Sequence, residues 1–140
     1  ERGVLDRIKN GEEFGYVTTL GGRLRRLDRK YLTDEETGYT AITQAINAII
    51  QGGVADLIKF AMVRIQRIFK EKGWLNPELN HWDATISGQV HDELFIEAKE
   101  EIAEEALSIV KRELEYAGEH YGITVPMTAD GKIVSNLGEK

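Results

Sequence analysis

The stretch "ISGQVHDELFIEA", from Ile86 to Ala98, decides the fold because two apolar segments in it meet at a charged junction. Residues 85–90 and 93–98 alternate between apolar and polar side chains, which is the pattern of β-strands that bury one face. Few residues separate the segments, so they are predicted to pair as an antiparallel hairpin. The turn then carries an imidazole and two carboxylates, those of His91, Asp92 and Glu93.

The residues of this turn allow two interpretations. Strict alternation places Ile86, Gly88 and Val90 on one face, and it places Asp92 at the end of the sheet. A carboxylate there can bind a hard cation such as Mg²⁺, which takes oxygen ligands and keeps several waters. Asp also favours turns because it hydrogen-bonds to its own backbone. A single His such as His91 is often only a structural hydrogen-bond donor.

Two helical patterns flank the hairpin. From about residue 40 to residue 72, apolar side chains recur at steps of three or four, which predicts a long helix with one buried stripe: Val54, Ile58, Met62, Ile65 and Phe69. The pair Gly52 and Gly53 is expected to bend this helix or to admit another backbone. Residues 99–120 predict a second helix with its own stripe: Ile102, Ala106, Val110, Leu114 and Ala117.

The rest of the chain is predicted to form shorter elements. Residues 3–14 favour a helix, residues 16–27 a hairpin and residues 28–39 a loop. The tail from Ile123 to Val134 favours a short strand and a turn. Together the patterns predict an α+β protein in which an antiparallel hairpin is flanked by long helices.

Composition restricts the class of protein. A chain of 140 residues, 41% hydrophobic and 30% charged, has the size and mix of one domain with a core. It has no cysteine, which excludes disulfides and thiolate metal sites and is typical of a reducing compartment. No uninterrupted apolar run approaches the roughly 18 residues of a membrane span, so we predict a cytosolic protein without a membrane partner. The net charge of −6 argues against non-specific coating of nucleic acid.

Two groups of side chains are nevertheless suited to nucleic acid. Gln44, Asn47 and Gln51 lie at steps of three and four, and amides on one side of a helix can donate to the minor-groove acceptors of every base pair. The run "RLRRLDRK", residues 23–30, contains five cations and suits phosphate contacts. A solvated polar stripe and a charged surface ribbon are the simpler interpretations of these two patterns.

Taken together and in their order along the chain, these segments resemble the C-terminal part of family A DNA polymerases, the group of bacterial DNA polymerase I and its phage relatives. "QVHDELFIEA" is similar to motif C of that family, which is QVHDE followed by an apolar strand. "GYVTTLGGRLRRL" is similar to G-Y-V-x-T-L-x-G-R-R, and "AINAIIQGGVADLIKFAM" to A-x-N-x-P-x-Q-G-T-A-A-D-x-x-K-x-A-M. The resemblance covers nearly the whole chain, and "HWDATISGQVHDE" looks closest to polymerases of podovirus-type phages.

The resemblance implies a role for each matching residue. It implies that Asp92 is a ligand of the catalytic Mg²⁺ ions, that Glu93 is a neighbouring carboxylate and that His91 lies close to the primer 3′ end. It also implies contacts with primer–template DNA for Arg23, Arg25, Asn47, Gln51 and Gln89. The implied partners are primer–template DNA and dNTP.

The resemblance also implies a domain organisation, in which residues 1–140 are a single partial domain. Residues 1–39 correspond to the end of a fingers helix with an arginine-rich hairpin and loop, and residues 40–72 to a long helix. Residues 83–140 correspond to the motif C hairpin of the palm with a helix and a C-terminal strand. The chain thus resembles half of a polymerase palm with the C-terminal part of the fingers.

Some positions depart from the family pattern. Ile49 replaces a proline, and Gly53 and Val54 replace Thr and Ala, so the helix after Gln51 is expected to be looser than usual. A leucine interrupts the arginine pair, which leaves the second arginine role open between Arg25 and Arg26.

Two family motifs are not found in the sequence: the motif A aspartate and the motif B helix that grips the nucleotide. Two-metal phosphoryl transfer needs ligands that hold ions about 3.5 to 4 Å apart, which one turn would do poorly. We therefore expect the chain to be inactive or nearly so alone, and to need a segment with motifs A and B. Because it begins at Glu1, it is expected to be a split subunit or a truncated piece that self-associates or requires its partner.

Three functions are compatible with these patterns. The first is a DNA-directed DNA polymerase, in the cytoplasm of a bacterial cell or a phage-infected host. The second is a non-catalytic primer–template binding or scaffolding module. The third is a small metal-dependent nuclease that uses the same carboxylates.

Overall fold

The computed structural model describes residues 14–28, 35–136 and 138. The helix expected over residues 3–14 therefore lies outside the described residues, except for its last position. The chain forms two compact units, residues 1–56 and residues 57–140. Both contain helix and antiparallel strand, so the predicted α+β class is confirmed.

The first unit contains a hairpin of strands β1 (Phe14–Thr18) and β2 (Leu24–Asp28), which pair in antiparallel register as predicted. Its turn is closed by a hydrogen bond from the Thr19 amide to the Arg23 carbonyl, at 2.9 Å. Gly22 has a φ of +81°, a conformation that glycine adopts without steric cost. The small core of this unit consists of Val17, Leu27 and Ala45.

A single long helix, α1 (Glu35–Glu71), begins in the first unit and ends in the second. It begins earlier than predicted, so part of the segment expected to be a loop is helical. The glycine pair does not interrupt it. A Cβ atom on Gly52 would lie 2.5 Å from the Thr19 Cγ2 atom, so Gly52 admits the β1–β2 turn against the helix. The approaching atoms belong to the Thr19 side chain, whereas the sequence predicted a bend or the approach of another backbone.

One part of α1, Ile42–Glu71, is long and apolar enough to cross a membrane by length and composition alone. The sequence prediction considered only uninterrupted apolar runs, and charged residues such as Asp56 and Lys59 divide this segment. The same segment supplies buried side chains to a protein core, and core helices pass the same test, so its composition is weak evidence for a membrane.

The second unit has its core between the end of α1, a hairpin and a second helix. Two-residue strands β3 (Leu75–Asn76) and β4 (His81–Trp82) pair around a 3₁₀ turn and lead into the hairpin of β5 (Ala84–Val90) and β6 (Glu93–Ala98). A 3₁₀ turn at Glu100–Ile102 then leads into α2 (Ala103–His120). The core residues are Leu57, Ala61, Ile65, Phe69, Ala84, Ala106, Ile109, Val110 and Ala117.

A half-buried ion pair also joins the two helices of the second unit. The Arg64 Nε atom donates to the Glu113 carboxylate at 2.5 Å, and the Glu113 side chain is buried. The Arg64 guanidinium lies 4.6 Å from the centre of the Tyr116 ring, a cation–π distance. The sequence pattern placed glutamates on the exposed side of α2, so the burial of Glu113 was not predicted.

The tail from Ile123 to Val134 contains no strand, contrary to the prediction. It runs along α2 instead: the Ala129 amide donates to the Glu115 carboxylate at 3.1 Å, and Met127 packs against Gly118. A strand requires a neighbouring strand for its ladder of hydrogen bonds, and here the tail has a helix beside it.

Candidate metal and nucleic-acid site

The hairpin β5–β6 ends in a two-residue loop formed by His91 and Asp92, because Val90 pairs directly with Glu93. His91 has a φ of +53°, and tight hairpin loops need a positive φ at their first position. The side chains of His91, Asp92 and Glu93 are all exposed. The loop therefore presents an imidazole and carboxylates at the end of the sheet, as the sequence predicted.

A β-bulge interrupts the alternation of β5. Ile86 pairs with Ile96, whereas Gly88 pairs with Phe95, so Ser87 is an extra residue without a partner position. Directly paired residues share a face of the sheet, and an extra residue exchanges the faces of everything that follows it. The prediction that Ile86 and Gly88 share a face was therefore wrong.

The bulge changes the surroundings of Gln89. This residue pairs with Leu94, whose side chain packs against the core, while Val90 falls on the face of Glu93. The Gln89 Nε2 atom donates to the His91 carbonyl oxygen at 3.0 Å. This hydrogen bond from Gln89 stabilises the loop that carries Asp92. The DNA contact that the family resemblance implies for Gln89 is a separate role.

Asp92 and Glu93 offer the carboxylate oxygens that Mg²⁺ prefers. Across residues 14–28 and 35–136, no group of three or more His, Cys, Asp or Glu side chains is placed to hold a metal ion. Mg²⁺ takes six ligands and keeps several waters, so few protein ligands are needed. The turn fits Mg²⁺ as one contributor to a larger ligand set.

The amides in the first unit lie on one side of α1. Asn47 and Gln51 are one helical turn apart and, like Gln44, have exposed side chains. Gln51 directly precedes Gly52, whose carbonyl oxygen accepts a hydrogen bond from the Arg23 Nη2 atom at 2.9 Å. The structure therefore brings Arg23 next to the amide-bearing part of α1.

The other arginines of the hairpin point in different directions. Arg25 pairs with Val17, and Arg26 pairs with Tyr16, so these neighbours on β2 lie on opposite faces. Both arginine side chains are exposed. Only Arg25 shares its face with the small apolar core of this unit, on the side that contains α1.

Asp56 was not among the predicted site residues. Its side chain is only 7% exposed, and its carboxylate accepts hydrogen bonds from Thr19 Oγ1 at 2.5 Å, from the Gly21 amide at 2.8 Å and from Arg23 Nε at 2.6 Å. We call these four residues the Asp56 cluster. Two signs of it were present in the sequence: a charged residue inside an apolar stretch of helix, and the match of Asp56 to the aspartate of the family pattern Q-G-T-A-A-D.

The donors of the Asp56 cluster stabilise the ionised carboxylate. Burial alone raises the pKa of Asp56, but the hydrogen bonds from Thr19, Gly21 and Arg23 outweigh burial, and the guanidinium charge acts in the same direction. The pKa of Asp56 therefore lies below its ordinary value of 3.8. The cluster holds a negative charge that pairs with Arg23.

A second ion pair closes the base of the β5–β6 hairpin. The Lys99 amide donates to the Asp83 carbonyl at 2.8 Å, and the Lys99 Nζ atom lies 2.6 Å from Asp83 Oδ1. The hydrogen bond from Lys99 holds the pKa of Asp83 below its ordinary value, and Asp83 in turn raises the pKa of Lys99. His81 lies 3.2 Å from the same carboxylate oxygen.

The sequence also matches known proteins along most of its length. Residues 4–139 match the family described as DNA polymerase family A. The chain is 35% identical over 128 residues to "DNA polymerase I, thermostable" of Thermus filiformis, an alignment that covers 88% of the chain and 13% of that relative. It is 36% identical over 126 residues to "DNA polymerase I" of Caldicellulosiruptor bescii, with 89% and 13% covered.

A solved structure shares the fold. The chain is similar to "POL domain of Pol1 from M. smegmatis complex with DNA primer-template and dNTP", with a TM-score of 0.64 and 32% identity. The match covers 83% of this chain and 18% of that one. The chain thus spans a small part of the length of the proteins it matches.

Proposed function

The chain belongs to DNA polymerase family A, and on that premise we propose that it supplies the motif C half of a nucleotidyl-transfer site. In the proposed reaction the primer 3′ oxygen forms a bond to the α-phosphorus of a dNTP. The bond from that phosphorus to the bridging oxygen of the β-phosphate breaks. Pyrophosphate leaves, and the 3′ hydroxyl loses its proton.

The observation that carries the proposal is the two-residue loop at the end of β5–β6. It fixes Asp92 between two paired strands, because Val90 and Glu93 on either side are hydrogen-bonded partners. The backbone of such a short loop has little freedom to move, and preorganised ligands are what phosphoryl transfer requires of a protein.

We assign the hairpin residues as the family resemblance implies. Asp92 binds the catalytic Mg²⁺, and Glu93 is its neighbouring carboxylate. His91 lies at the primer 3′ end, where its ring can donate a hydrogen bond. Mg²⁺, when bound, neutralises the charge that develops on the phosphoryl oxygens and on the leaving group.

We assign the first unit to the primer–template. Amide donors on Asn47 and Gln51 suit the purine N3 and pyrimidine O2 acceptors of the minor groove, which every correct base pair displays. Arg23 and Arg25 are cations for the phosphate backbone, which sets position but not sequence. Contacts of this kind hold DNA of any sequence, as template-directed synthesis requires.

The remaining ligands must come from a segment with motifs A and B. Two metal ions held about 3.5 to 4 Å apart need carboxylates from more than one strand. We therefore propose that the chain alone is inactive or nearly so. Activity then appears in the cytoplasm of a bacterial or phage-infected cell, wherever both segments are present.

Primer extension tests the assignment of Asp92 as a ligand of the catalytic Mg²⁺. The chain is mixed with a family A polymerase segment that carries motifs A and B, and primer extension is measured with Mg²⁺ and dNTPs. Asp92→Ala is expected to lower the extension rate by at least about 100-fold, because the loop loses its metal-binding oxygen. Asp130→Ala is the matched control, since Asp130 is an exposed aspartate of the tail. It should change the rate by less than about two-fold, as expected for a surface substitution.

The alternative is a non-catalytic primer–template binding or scaffolding module, and the same experiment tests it. In that case the chain binds primer–template with an affinity that Asp92→Ala does not change, and no complementing segment produces extension. Degradation of DNA without dNTPs would instead indicate the nuclease. Either result contradicts the polymerase assignment.

A further inference from the structure

The Asp56 cluster fixes the plane of one guanidinium. Arg23 donates through Nε to Asp56 Oδ1 at 2.6 Å and through Nη2 to the Gly52 carbonyl oxygen at 2.9 Å. A planar group held at two points cannot rotate about its long axis without breaking one of them. Arg23 is therefore oriented by α1, although it belongs to the hairpin.

The same two bonds leave part of the guanidinium unused. A guanidinium has five N–H donors, and two are occupied by Asp56 and Gly52. Within the described part of the chain, Nη1 has no hydrogen-bond partner. The Arg23 side chain is 49% exposed. The edge formed by Nη1 and Nη2 can thus accept an anion with two parallel hydrogen bonds, the arrangement that phosphates favour.

We propose that Asp56 is a positioning residue for primer–template binding: it holds the Thr19–Arg23 turn on α1 so that Arg23 offers its Nη1–Nη2 edge to a backbone phosphate. The inference rests on the proposed function, because it requires that this unit contacts DNA. Asp56 itself touches no DNA in this arrangement. It acts through Arg23.

Charge alone predicts the opposite effect. Asn has the size of Asp without its charge, so Asp56→Asn makes the chain less negative by one unit, which by bulk electrostatics should strengthen binding to DNA. If Asp56 positions Arg23, the same substitution should weaken binding, because the guanidinium loses its fixed orientation. The sign of the change therefore separates the two explanations.

The test measures binding of the 140-residue chain to a fluorescently labelled primer–template by anisotropy, over a series of salt concentrations. Asp56→Asn is expected to weaken binding roughly ten-fold and to reduce the slope of log K against log salt by about 0.9, the value for one lost phosphate contact. Asp130→Asn has the same change in charge on an exposed residue with no contact to Arg23. It should bind as the unchanged chain does, or slightly more tightly.

A double-mutant cycle assigns the effect to Arg23. In a chain that carries Arg23→Ala, Asp56→Asn should cause no further loss of affinity, because the residue that it positions is gone. Thr19→Val is the second variant in case Asp56→Asn fails to fold. It removes one donor to Asp56 and keeps both charges, and it should reduce affinity and the salt slope in the same direction.

A DNA-independent measurement separates this inference from the proposed function. The Arg23 Nε proton should exchange slowly with solvent in the unchanged chain and fast in Asp56→Asn, as followed by NMR. If Asp56→Asn binds as tightly as the unchanged chain, or more tightly, the positioning role is wrong while DNA binding stands. If the unchanged chain shows a slow Nε proton but binds no primer–template, both the DNA contact and the positioning role are wrong.

Discussion

His91 occupies a backbone position that suits glycine better than histidine, because its φ is +53°. A left-handed conformation costs a residue with a Cβ atom about 1 to 2 kcal/mol. We predict that His91→Gly leaves the free energy of unfolding unchanged or raises it, whereas His91→Val lowers it by about 1 to 2 kcal/mol. Chemical denaturation measures both. Primer extension by the complemented chain should fall in both variants if the imidazole serves the primer end.

The two variants of His91 control for each other. Both remove the imidazole, so they should lose the same activity, and only their stabilities should differ. Equal stability for His91→Gly and His91→Val would contradict the strained loop. Full activity in His91→Gly would remove the proposed role at the primer end.

For single residues, the sequence predicted features that depend on neighbouring positions, and it missed pairs of side chains that lie far apart in sequence. The position of Asp92 follows from two alternating segments on either side of it. The burial of Asp56 and Glu113 does not follow, because Arg23 and Arg64, which pair with them from distant parts of the chain, lie 33 and 49 residues away in sequence. A buried carboxylate is tolerable only with such a partner, and sequence spacing does not reveal one.

Among the elements, the β5–β6 hairpin has a stability that depends on pH through the Asp83–Lys99 pair at its base. The hydrogen bond from Lys99 lowers the pKa of Asp83 below 3.8, so this carboxylate stabilises the fold above that value. The contribution is lost as the pH falls through the lower pKa of the folded state. The pKa of Lys99 is raised, so its charge sets the limit at high pH. The contribution of that charge to the stability of the fold is present at neutral pH and is lost as the pH rises through the raised pKa.

We therefore predict that Asp83→Asn destabilises the chain at neutral pH and that the difference from the unchanged chain shrinks as the pH falls below about 4. Urea denaturation at a series of pH values measures the difference. Asp130→Asn is a control with the same chemical change, because Asp130 is exposed and lies outside the Asp83–Lys99 pair. A difference that stays constant down to the lowest pH would show that Asp83 acts through packing and not through its charge.

The two long helices of the chain were predicted correctly, whereas the bulge in β5 and the conformation of the tail were not. Periodicity predicted both long helices, because each buries apolar side chains at helical spacing in a core. Val54 was predicted to lie in the buried stripe of α1, but it is 40% exposed. The bulge at Ser87 was missed, since residues 86–90 alternate in sequence although the bulge places Ile86 and Gly88 on opposite faces. The tail was predicted as a strand from its composition, but a strand also needs a partner, and composition does not supply one.

For the whole molecule, one apolar surface on α1 predicts association. Five large apolar side chains recur there at steps of three and four and remain exposed: Ile42, Ile46, Ile49, Ile50 and Val54. We call them the apolar row. Exposed apolar surfaces of this kind are typical of contact sites, so the chain is expected to self-associate.

Ile50 is 61% exposed, and a substitution there tests whether the apolar row causes self-association. Ile50→Glu is expected to shift the chain towards the monomer in sedimentation velocity over a range of concentrations. Its free energy of unfolding should change by less than about 0.5 kcal/mol, as for other surface substitutions. Leu79→Glu is the control, because Leu79 is 74% exposed and lies outside the row. A chain that is monomeric at every concentration would contradict the prediction.

The loop that presents Asp92 is expected to form early during folding. Its paired residues are between three and fourteen positions apart in sequence, and hairpins with such local contacts form within about 1 to 10 μs. The Arg64–Glu113 pair joins residues 49 positions apart and must await a longer chain closure. The proposed metal ligand would therefore reach its final geometry early, while the core around it is still assembling and before any second segment has to dock.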